Sequence, residues 1–188
     1  MSQLPFVPED SDDPRVREVF DRMRKRWPGA PVLHLYRVLA WAPGLLTPWA
    51  DFASALRFKT ATHAALRELM IVRAGQLMDC EYEWKHHWPA ALEAGVLEQK
   101  LLALTHWQDS PLFGPAEKAV LALAEDTACG LGASTQTMAE LKAQLPNEQV
   151  AELVIIAGFY AAVGRIVNSF DIELERGYES LTPRDETA

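Results

Sequence analysis

The sequence predicts an all-α protein, on three observations. Good helix formers and apolar residues at spacings of three and four recur through most of the 188 residues. No run shows the strict alternation of apolar and polar residues that marks a half-buried strand. The length and the 49% hydrophobic content suit one domain with a sizeable core. We therefore expect a single all-helical domain over residues 1–188, with flexible tails at 1–13 and 177–188.

Four helices are predicted in the first half of the chain. Asp12 or Asp13 can cap the first, and Pro28 and Gly29 end it. The break at Pro43 separates the second helix from the third. In order, the four helices cover residues 14–27, 32–41, 45–58 and 64–78.

The second half of the chain begins a further series of helices. Asp79 can cap a helix that Gly95 closes, and Ser134 can cap a later one. In order, these helices cover residues 80–94, 97–104, 115–129, 135–145 and 147–175. The last carries several apolar stripes, one of them formed by Leu153, Ile156, Tyr160, Val163 and Val167. Such a helix needs cover from the domain core or from a neighbouring subunit, so a homo-oligomer is expected.

Charge and composition exclude several classes of partner. The formal net charge of −8 opposes binding to nucleic-acid phosphates or anionic lipid. The most apolar run, 153–164, is shorter than the ~20 residues that span a bilayer and predicts a buried helix. The N-terminus lacks the pattern of a signal or transit peptide, which favours a cytoplasmic protein. Two cysteines are too few for a disulfide framework.

Glu68 is the first candidate site residue. It shares a helix face with apolar positions three and four residues later, and a carboxylate on an apolar stripe is unusual. Burial would raise its pKa toward the range useful in acid and base catalysis. A structural ion pair, with Arg67, Arg73 or a partner helix, is the alternative, and residue chemistry alone does not separate the two.

The next helix presents Cys80, Glu83, Trp84 and His87 on one side, because their spacings are three, four and seven residues. The first turn of a helix favours a thiolate at Cys80, although a small buried thiol is nearly as common. His87 can exchange protons with Glu83, or with Glu68 across the helix pair. The other histidines, and Cys129, are interpreted as surface or packing residues.

The same segment also contains aromatic residues that could line a pocket and a pair of residues with the spacing of metal ligands. Tyr82 and Trp84, with other tryptophans, can line a pocket for a planar ligand, or can be core packing. Glu83 and His87 have a spacing that suits a metal, but HExxH and paired CxxC motifs are missing. The sequence also lacks nucleotide, flavin and haem motifs. We therefore expect no metal and no cofactor.

The stretch Leu66–Leu69, followed by the CEYEW sequence from Cys80 and then His87, resembles the core of the carboxymuconolactone decarboxylase and alkylhydroperoxidase D superfamily. The resemblance is specific over 64–96. It implies an antiparallel helix bundle that assembles as a dimer, trimer or hexamer. In alkylhydroperoxidase D proteins a CxxC motif precedes the histidine, whereas this chain has Glu83 at the second cysteine. The local disulfide of those proteins therefore cannot form here.

Three functions remain open from the sequence. In the first, Glu68, Glu83 and His87 move protons while a small acidic or lactone substrate loses CO₂ or isomerises. In the second, Cys80 alone attacks peroxide, forms a sulfenic acid and is resolved by another thiol. In the third, the chain is a non-catalytic oligomer that binds a ligand.

Overall fold

The computed structural model describes residues 2–178, and within them the chain forms helices and turns without a strand. The all-α prediction is confirmed for this part of the chain. In chain order the helices are α1 (Pro14–Arg26), α2 (His34–Leu39), α3 (Pro43–Phe58), α4 (Ala64–Leu77), α5 (Glu81–Glu93), α6 (Glu98–Leu102), α7 (Pro115–Cys129), α8 (Thr135–Gln144) and α9 (Asn147–Phe170), with a 3₁₀ turn at Leu104–His106 between α6 and α7.

Several helix ends follow the predicted capping chemistry. Asp13 Oδ1 accepts a hydrogen bond of 2.9 Å from the backbone N–H of Arg15, and Ser134 Oγ accepts one of 3.1 Å from that of Thr137. Each bond satisfies a backbone donor that the helix itself leaves unpaired. Gly95 has a φ of 91° directly after α5, a conformation that suits glycine. These predictions of helix ends are confirmed.

Three predicted helix ends are wrong. Pro43 is the first residue of α3 instead of a break before it, since proline fits the first helical turn. Asp79 does not cap α5: its φ of 51° places it in a left-handed turn, and Cys80 is the N-cap residue. The long last helix ends at Phe170 because Asp171, with a φ of 50°, reverses the chain.

Helix α4 is central to the fold and is buried over most of its surface. It packs against α5, α7 and α9. Six consecutive residues, 67–72, are buried, so this helix has no solvent-facing stripe in that stretch. One apolar cluster joins α4 to α7, α8 and α9, and a second joins it to α5 and the segment around α6. A charged residue on this helix must therefore find a partner inside the protein.

Helix α9 is the one helix of residues 2–178 that is long and apolar enough to cross a bilayer, and half of its apolar stretch is buried inside the protein. One such helix is weak support for a membrane span. The predicted stripe is buried throughout, at Leu153, Ile156, Tyr160, Val163 and Val167. This agrees with a core helix. Val154 and Ile155 on the opposite side are exposed, and a neighbouring subunit over them stays a prediction.

Both predicted tails include residues that the structure describes. Residues 2–13 form no helix, but the backbone N–H of Gln3 donates to Phe170 O at 2.8 Å and that of Val7 donates to Arg37 O at 3.2 Å. After α9, residues 171–178 run back over α2 and α5. Residues 179–188 of the predicted C-terminal tail lie outside the described residues.

Candidate functional site

The site is built on the antiparallel pair α4 and α5. Gly75 on α4 lies against Glu83 and Trp84 on α5, and Glu68, two turns earlier, meets His87, one turn later. A Cβ atom added at Gly75 would lie 2.9 Å from the backbone nitrogen of Trp84. Glycine therefore allows the close approach of the two helices, and that approach brings side chains from both into contact.

Glu68 is paired on both of its carboxylate oxygens. Oε2 accepts a hydrogen bond of 2.6 Å from Nδ1 of His87, and Oε1 lies 3.1 Å from both Nε and a terminal nitrogen of Arg67. Burial would raise the pKa of Glu68, but the charge and hydrogen bond of His87, with Arg57 and Arg67, outweigh it and lower the pKa to about 2. Glu68 is therefore ionised. The two interpretations left open by the sequence coincide, since the ion pair with Arg67 and the contact with His87 exist together.

Glu83 has the opposite electrostatic environment. Its side chain is buried, and the nearest basic nitrogen, Nε2 of His87, is 3.8 Å from Oε2. Desolvation raises the pKa of Glu83, and His87, His86 and Arg57 offset the rise only in part. Two carboxyl groups on adjacent helices thus have pKa values displaced in opposite directions, a pattern found in acid and base pairs of active sites.

The hydrogen bond to Glu68 fixes the tautomer of His87. An ionised carboxylate only accepts, so Nδ1 of His87 carries a proton, and in the neutral ring Nε2 is left with a lone pair. This nitrogen is the one closer to Glu83. Tyr160 packs edge-on against the imidazole, with 4.9 Å between ring centroids, and restricts its rotation. His87 is therefore oriented as a base by one carboxylate and lies beside a second that can carry a proton.

Cys80 is placed differently from expectation. It is the N-cap residue of α5, but its thiol is 1% exposed and packs with Val163, Val167 and other apolar residues. Burial is the largest effect and the Glu83 carboxylate adds to it, so the pKa of the thiol rises to about 12 despite backbone N–H groups that lower it. The prediction that the helix start favours a thiolate at Cys80 is wrong, because desolvation outweighs the helix terminus.

A cavity of about 360 Å³ opens beside His87 and Glu83. Its size falls within the range of pockets that bind small molecules. Most of its wall is apolar or aromatic. The lining includes Trp27, Tyr36, Trp49, Arg57, Tyr82, Glu83, His86, His87, Phe159, Tyr160, Val163 and Tyr178. Glu68 and Cys80 do not line the cavity. Glu68 is connected to it through its hydrogen bond with His87, whereas Cys80 has no hydrogen bond to a lining side chain.

Of the two predicted pocket residues, the structure brings one to the cavity. Tyr82 lines it, accepts a hydrogen bond of 3.1 Å from the backbone N–H of Leu35, and donates one of 2.9 Å to Glu175. Trp84 instead packs against Trp88 in the core cluster on the other side of α5, with 6.0 Å between ring centroids. The alternative of core packing holds for Trp84, because positions 82 and 84 lie on different faces of a helix.

His86 was interpreted as a surface or packing residue, but it lines the cavity. Its Nδ1 donates to the backbone oxygen of Tyr82 at 2.7 Å, and Nε2 lies 2.7 Å from Glu175 Oε2. Burial opposes the charge of Glu175, but His86 lowers the pKa of that carboxyl. Tyr178 stacks on the other side of the His86 ring, with 4.1 Å between centroids. Tyr178, from the segment after α9, thus forms part of the cavity wall.

Other cavity residues also escaped the sequence analysis. Arg57 comes from α3, and Tyr160 comes from the stripe interpreted as core. No local spacing links these residues to α5, since each is more than 25 positions away from His87 in the chain. The sequence gives a signal for Arg57 alone, which is a charged residue within the otherwise apolar end of a predicted helix.

Within residues 2–178, no group of three or more His, Cys, Asp or Glu side chains has a geometry suited to a metal ion. The histidines and carboxylates of the site are instead joined to one another by hydrogen bonds and ion pairs.

The sequence profile of the carboxymuconolactone decarboxylase family matches residues 43–126, which contain α3 to α6 and most of α7. Glu68, Cys80, Glu83 and His87 all lie inside this match, in the CxxE arrangement described above. Residues 43–126 therefore belong to the carboxymuconolactone decarboxylase family, as the resemblance predicted. No curated protein sequence matches it significantly.

Several solved structures share this fold. A cysteine-to-alanine variant of the debrominase Bmp8 in complex with 2,3,4-tribromopyrrole is 18% identical, with a TM-score of 0.79 over 95% of this chain and 96% of that one. An uncharacterized peroxidase-related protein from Silicibacter sp. TM1040 is 14% identical, with a TM-score of 0.79 over 95% and 94%. A protein of unknown function from Agrobacterium tumefaciens, with a suggested role as the antioxidant defence protein AhpD, is 18% identical, with a TM-score of 0.66 over 73% and 95%. At these identities the likeness shows the fold alone.

Proposed function

We propose that this chain is an enzyme that moves protons at a small acidic or lactone substrate, leading to isomerisation or decarboxylation. The observation that supports the proposal is the set Glu68, His87 and Glu83, whose last two members line the cavity of about 360 Å³. Glu68 is ionised and orients His87, while burial favours a proton on Glu83. The site therefore offers one base and one acid without a redox pair.

An isomerisation can be written with these groups alone. His87 Nε2 removes a proton from one substrate carbon, and the electron pair of that C–H bond moves into the adjacent π system. The carboxyl of Glu83 donates its proton to a second carbon, so the double bond shifts. His87 is then a cation that Glu68 stabilises, and Glu83 is ionised. Proton return across the 3.8 Å between Nε2 and Oε2 resets the site.

Decarboxylation uses the same acid. The bond between carbon and the leaving carboxylate breaks, CO₂ departs, and the electron pair stays on an enolate carbon. Glu83 protonates that carbon and recovers its proton from solvent through His87. The debrominase Bmp8, whose variant shares this fold, was crystallised with a flat ring, 2,3,4-tribromopyrrole. By analogy we propose that the aromatic walls of this cavity, which include Tyr36, Trp49 and Phe159, receive a flat substrate.

The test is a screen by proton NMR in D₂O with unsaturated lactones and unsaturated or β-keto carboxylic acids. Turnover appears as CO₂ loss, a double-bond shift or exchange of a C–H proton for deuterium. Glu83→Gln and His87→Ala should each lower the rate about 100-fold or more, the usual contribution of a positioned acid or base. The exposed residues Glu140 and His106 supply matched controls, Glu140→Gln and His106→Ala, which should keep the wild-type rate. Unchanged turnover in Glu83→Gln and His87→Ala would end the proposal.

A peroxidase that uses Cys80 alone is the weaker proposal. A peroxidatic cysteine attacks as a thiolate, and the Cys80 thiol is buried, outside the cavity, with its pKa raised to about 12. We expect Cys80→Ser to retain most of the proton-transfer activity. Peroxide consumption that Cys80→Ser abolishes, with a +16 mass on Cys80 after mild oxidation, would favour the peroxidase instead. Ligand binding without turnover of any substrate would favour a non-catalytic binding protein.

A further inference from the structure

Arg57 is the one arginine that lines the cavity, as far as residues 2–178 show. It lies near the end of α3 and is partly buried. Its guanidinium makes neither a hydrogen bond nor an ion pair with any described residue, and its Nε is buried from solvent and has no acceptor. Arginines of comparable burial in this chain are paired: Arg67 with Glu68, and Arg73 with Glu125. Arg57 is therefore the exception.

An unpaired guanidinium N–H group in a buried position costs about 1–3 kcal/mol, so proteins rarely keep one without a partner. The carboxylates nearest to the cavity do not supply that partner. Glu68 is engaged by Arg67 and His87, and Glu175 by His86 and Tyr82. The two carboxyl groups of the lining, Glu83 and Glu93, are not within ion-pair distance of Arg57 either; Glu93 is exposed, and burial favours the neutral form of Glu83. Arg57 thus has no ion-pair partner among the described carboxylates.

We propose that Arg57 is the specificity-determining residue of this site, and that it binds the carboxylate of a substrate whose flat, unsaturated body lies between the aromatic walls. A guanidinium presents parallel N–H donors that match the two oxygens of a carboxylate. Trp49 and Phe159, with ring centroids 4.8 Å apart, lie on the cavity wall and offer apolar contact to such a body. The carboxylate at Arg57 directs the rest of the molecule toward Glu83 and His87.

Recognition by Arg57 also explains why the acidic site would not repel a negatively charged substrate of this class. Bringing a carboxylate next to ionised Glu68 would be unfavourable, but Glu68 is outside the cavity lining, and its oxygens are already engaged by the Arg67 guanidinium and the Nδ1–H of His87. Arg57 offsets the cost of removing the substrate carboxylate from water. A neutral amide of the same shape has no such charge and should bind more weakly.

The inference rests on the proposed function only in treating the cavity as the substrate site, and its test measures binding instead of turnover. Benzoate is the probe, and benzamide is its neutral counterpart. Isothermal titration calorimetry should show benzoate binding to the wild-type protein at least about tenfold more tightly than benzamide, since a charge-assisted hydrogen bond contributes about 1.5–3 kcal/mol. Arg57→Gln should remove this preference, while Arg57→Lys should keep part of it.

Arg17 supplies the control for net charge, because it is exposed on α1 and is not part of the cavity. Arg17→Gln should bind benzoate as the wild type does. Equal affinity of the wild type for benzoate and benzamide, no benzoate binding at millimolar concentrations, or an unchanged preference in folded Arg57→Gln would each overturn the inference. The comparison of the two probes on the wild type needs no variant, so a folding defect in Arg57→Gln leaves the test valid. Arg57-dependent benzoate binding without any turnover would keep this inference and reject the proposed function.

Discussion

Replacing Glu68 by glutamine should destabilise the protein by about 3 kcal/mol at pH 7. Glutamine keeps the shape of the side chain but removes its charge. The pKa of Glu68 is lowered from 4.5 to about 2 because His87 and the arginines outweigh the effect of burial. Each pKa unit corresponds to about 1.4 kcal/mol, so the ionised form adds about 3 kcal/mol to the free energy of unfolding. Loss of the partner also leaves the buried guanidinium of Arg67 unmatched, which acts in the same direction.

The dependence on pH distinguishes this charge effect from a packing defect. A carboxyl whose pKa is lower in the folded protein stabilises it fully above the unfolded pKa of 4.5, and this stabilisation is lost as the pH falls toward about 2. The difference in stability between wild type and Glu68→Gln should therefore be largest at pH 7 and roughly half as large at pH 3. Carboxyl groups away from the site titrate alike in both proteins and cancel in the comparison; Glu83, whose pKa the charge of Glu68 helps to raise, is the exception.

Urea titrations followed by circular dichroism at pH 7, 5, 4 and 3 measure the difference directly. Glu140→Gln is the matched control, because Glu140 is exposed and bonds only to the side chain of Gln136, and it should cost less than about 0.5 kcal/mol. A Glu68→Gln protein within 1 kcal/mol of the wild type at pH 7 would refute the reasoning. So would a stability difference that does not shrink with falling pH.

Three further predictions test the rest of the site. Glu83→Gln should raise the free energy of unfolding at pH 7. The pKa of Glu83 is raised in the folded protein, so the carboxyl stabilises the fold below pH 4.5 and this stabilisation is lost as the pH rises, whereas glutamine stays neutral. Urea titrations that show the variant to be less stable than the wild type at pH 7 would contradict this. Iodoacetamide at pH 8 should modify exposed Cys129 quickly and buried Cys80 only after the protein unfolds, and peptide mass spectrometry can follow both reactions. Modification of Cys80 and Cys129 at equal rates in the folded protein would contradict this. Gly75→Ala should lower the free energy of unfolding by about 1–2 kcal/mol, since overpacking against Trp84 exceeds the gain in helix propensity. Gly158→Ala, which meets open space on α9, is its control in the same thermal melts and should be neutral or stabilising.

The sequence was sufficient to predict the helices and one half of the site. Glu83 and His87 reach the cavity from one side of α5 because helical geometry is regular, and this regularity can be read from spacing alone; Cys80, predicted on the same side, lies outside the cavity. The approach of Glu68 to His87 depends on two helices joined by a short turn, a local arrangement that the family resemblance also implied. Errors at helix ends came from residues such as Asp79 and Asp171, which adopt left-handed conformations that no periodic pattern reports.

The other half of the site could not be predicted, because it comes from segments that are distant in the chain. Arg57, Tyr160 and Glu175 approach α5 from three different segments, and only the tertiary fold determines which side chains meet across the cavity. The environment of Cys80 also could not be predicted from the local sequence. Its position at a helix start favours ionisation, but the packing of α9 over it removes water, and this effect is larger.

The contrast between the two carboxyl groups supports the proposed activity in a chain that has Glu83 where alkylhydroperoxidase D proteins have a cysteine. A buried carboxyl is costly when ionised, but Glu68 reduces that cost with an ion pair to Arg67 and a hydrogen bond from His87, whereas the nearest basic group to Glu83 is His87 Nε2 at 3.8 Å. Neighbouring helices therefore hold an ionised carboxylate and a carboxyl that favours its proton, with one imidazole between them. The position that completes a redox pair in alkylhydroperoxidase D proteins holds a proton-carrying group here. Under the proposed function, the helix pair that carries thiol chemistry in alkylhydroperoxidase D proteins carries proton transfer at carbon here, around a histidine at the matching position.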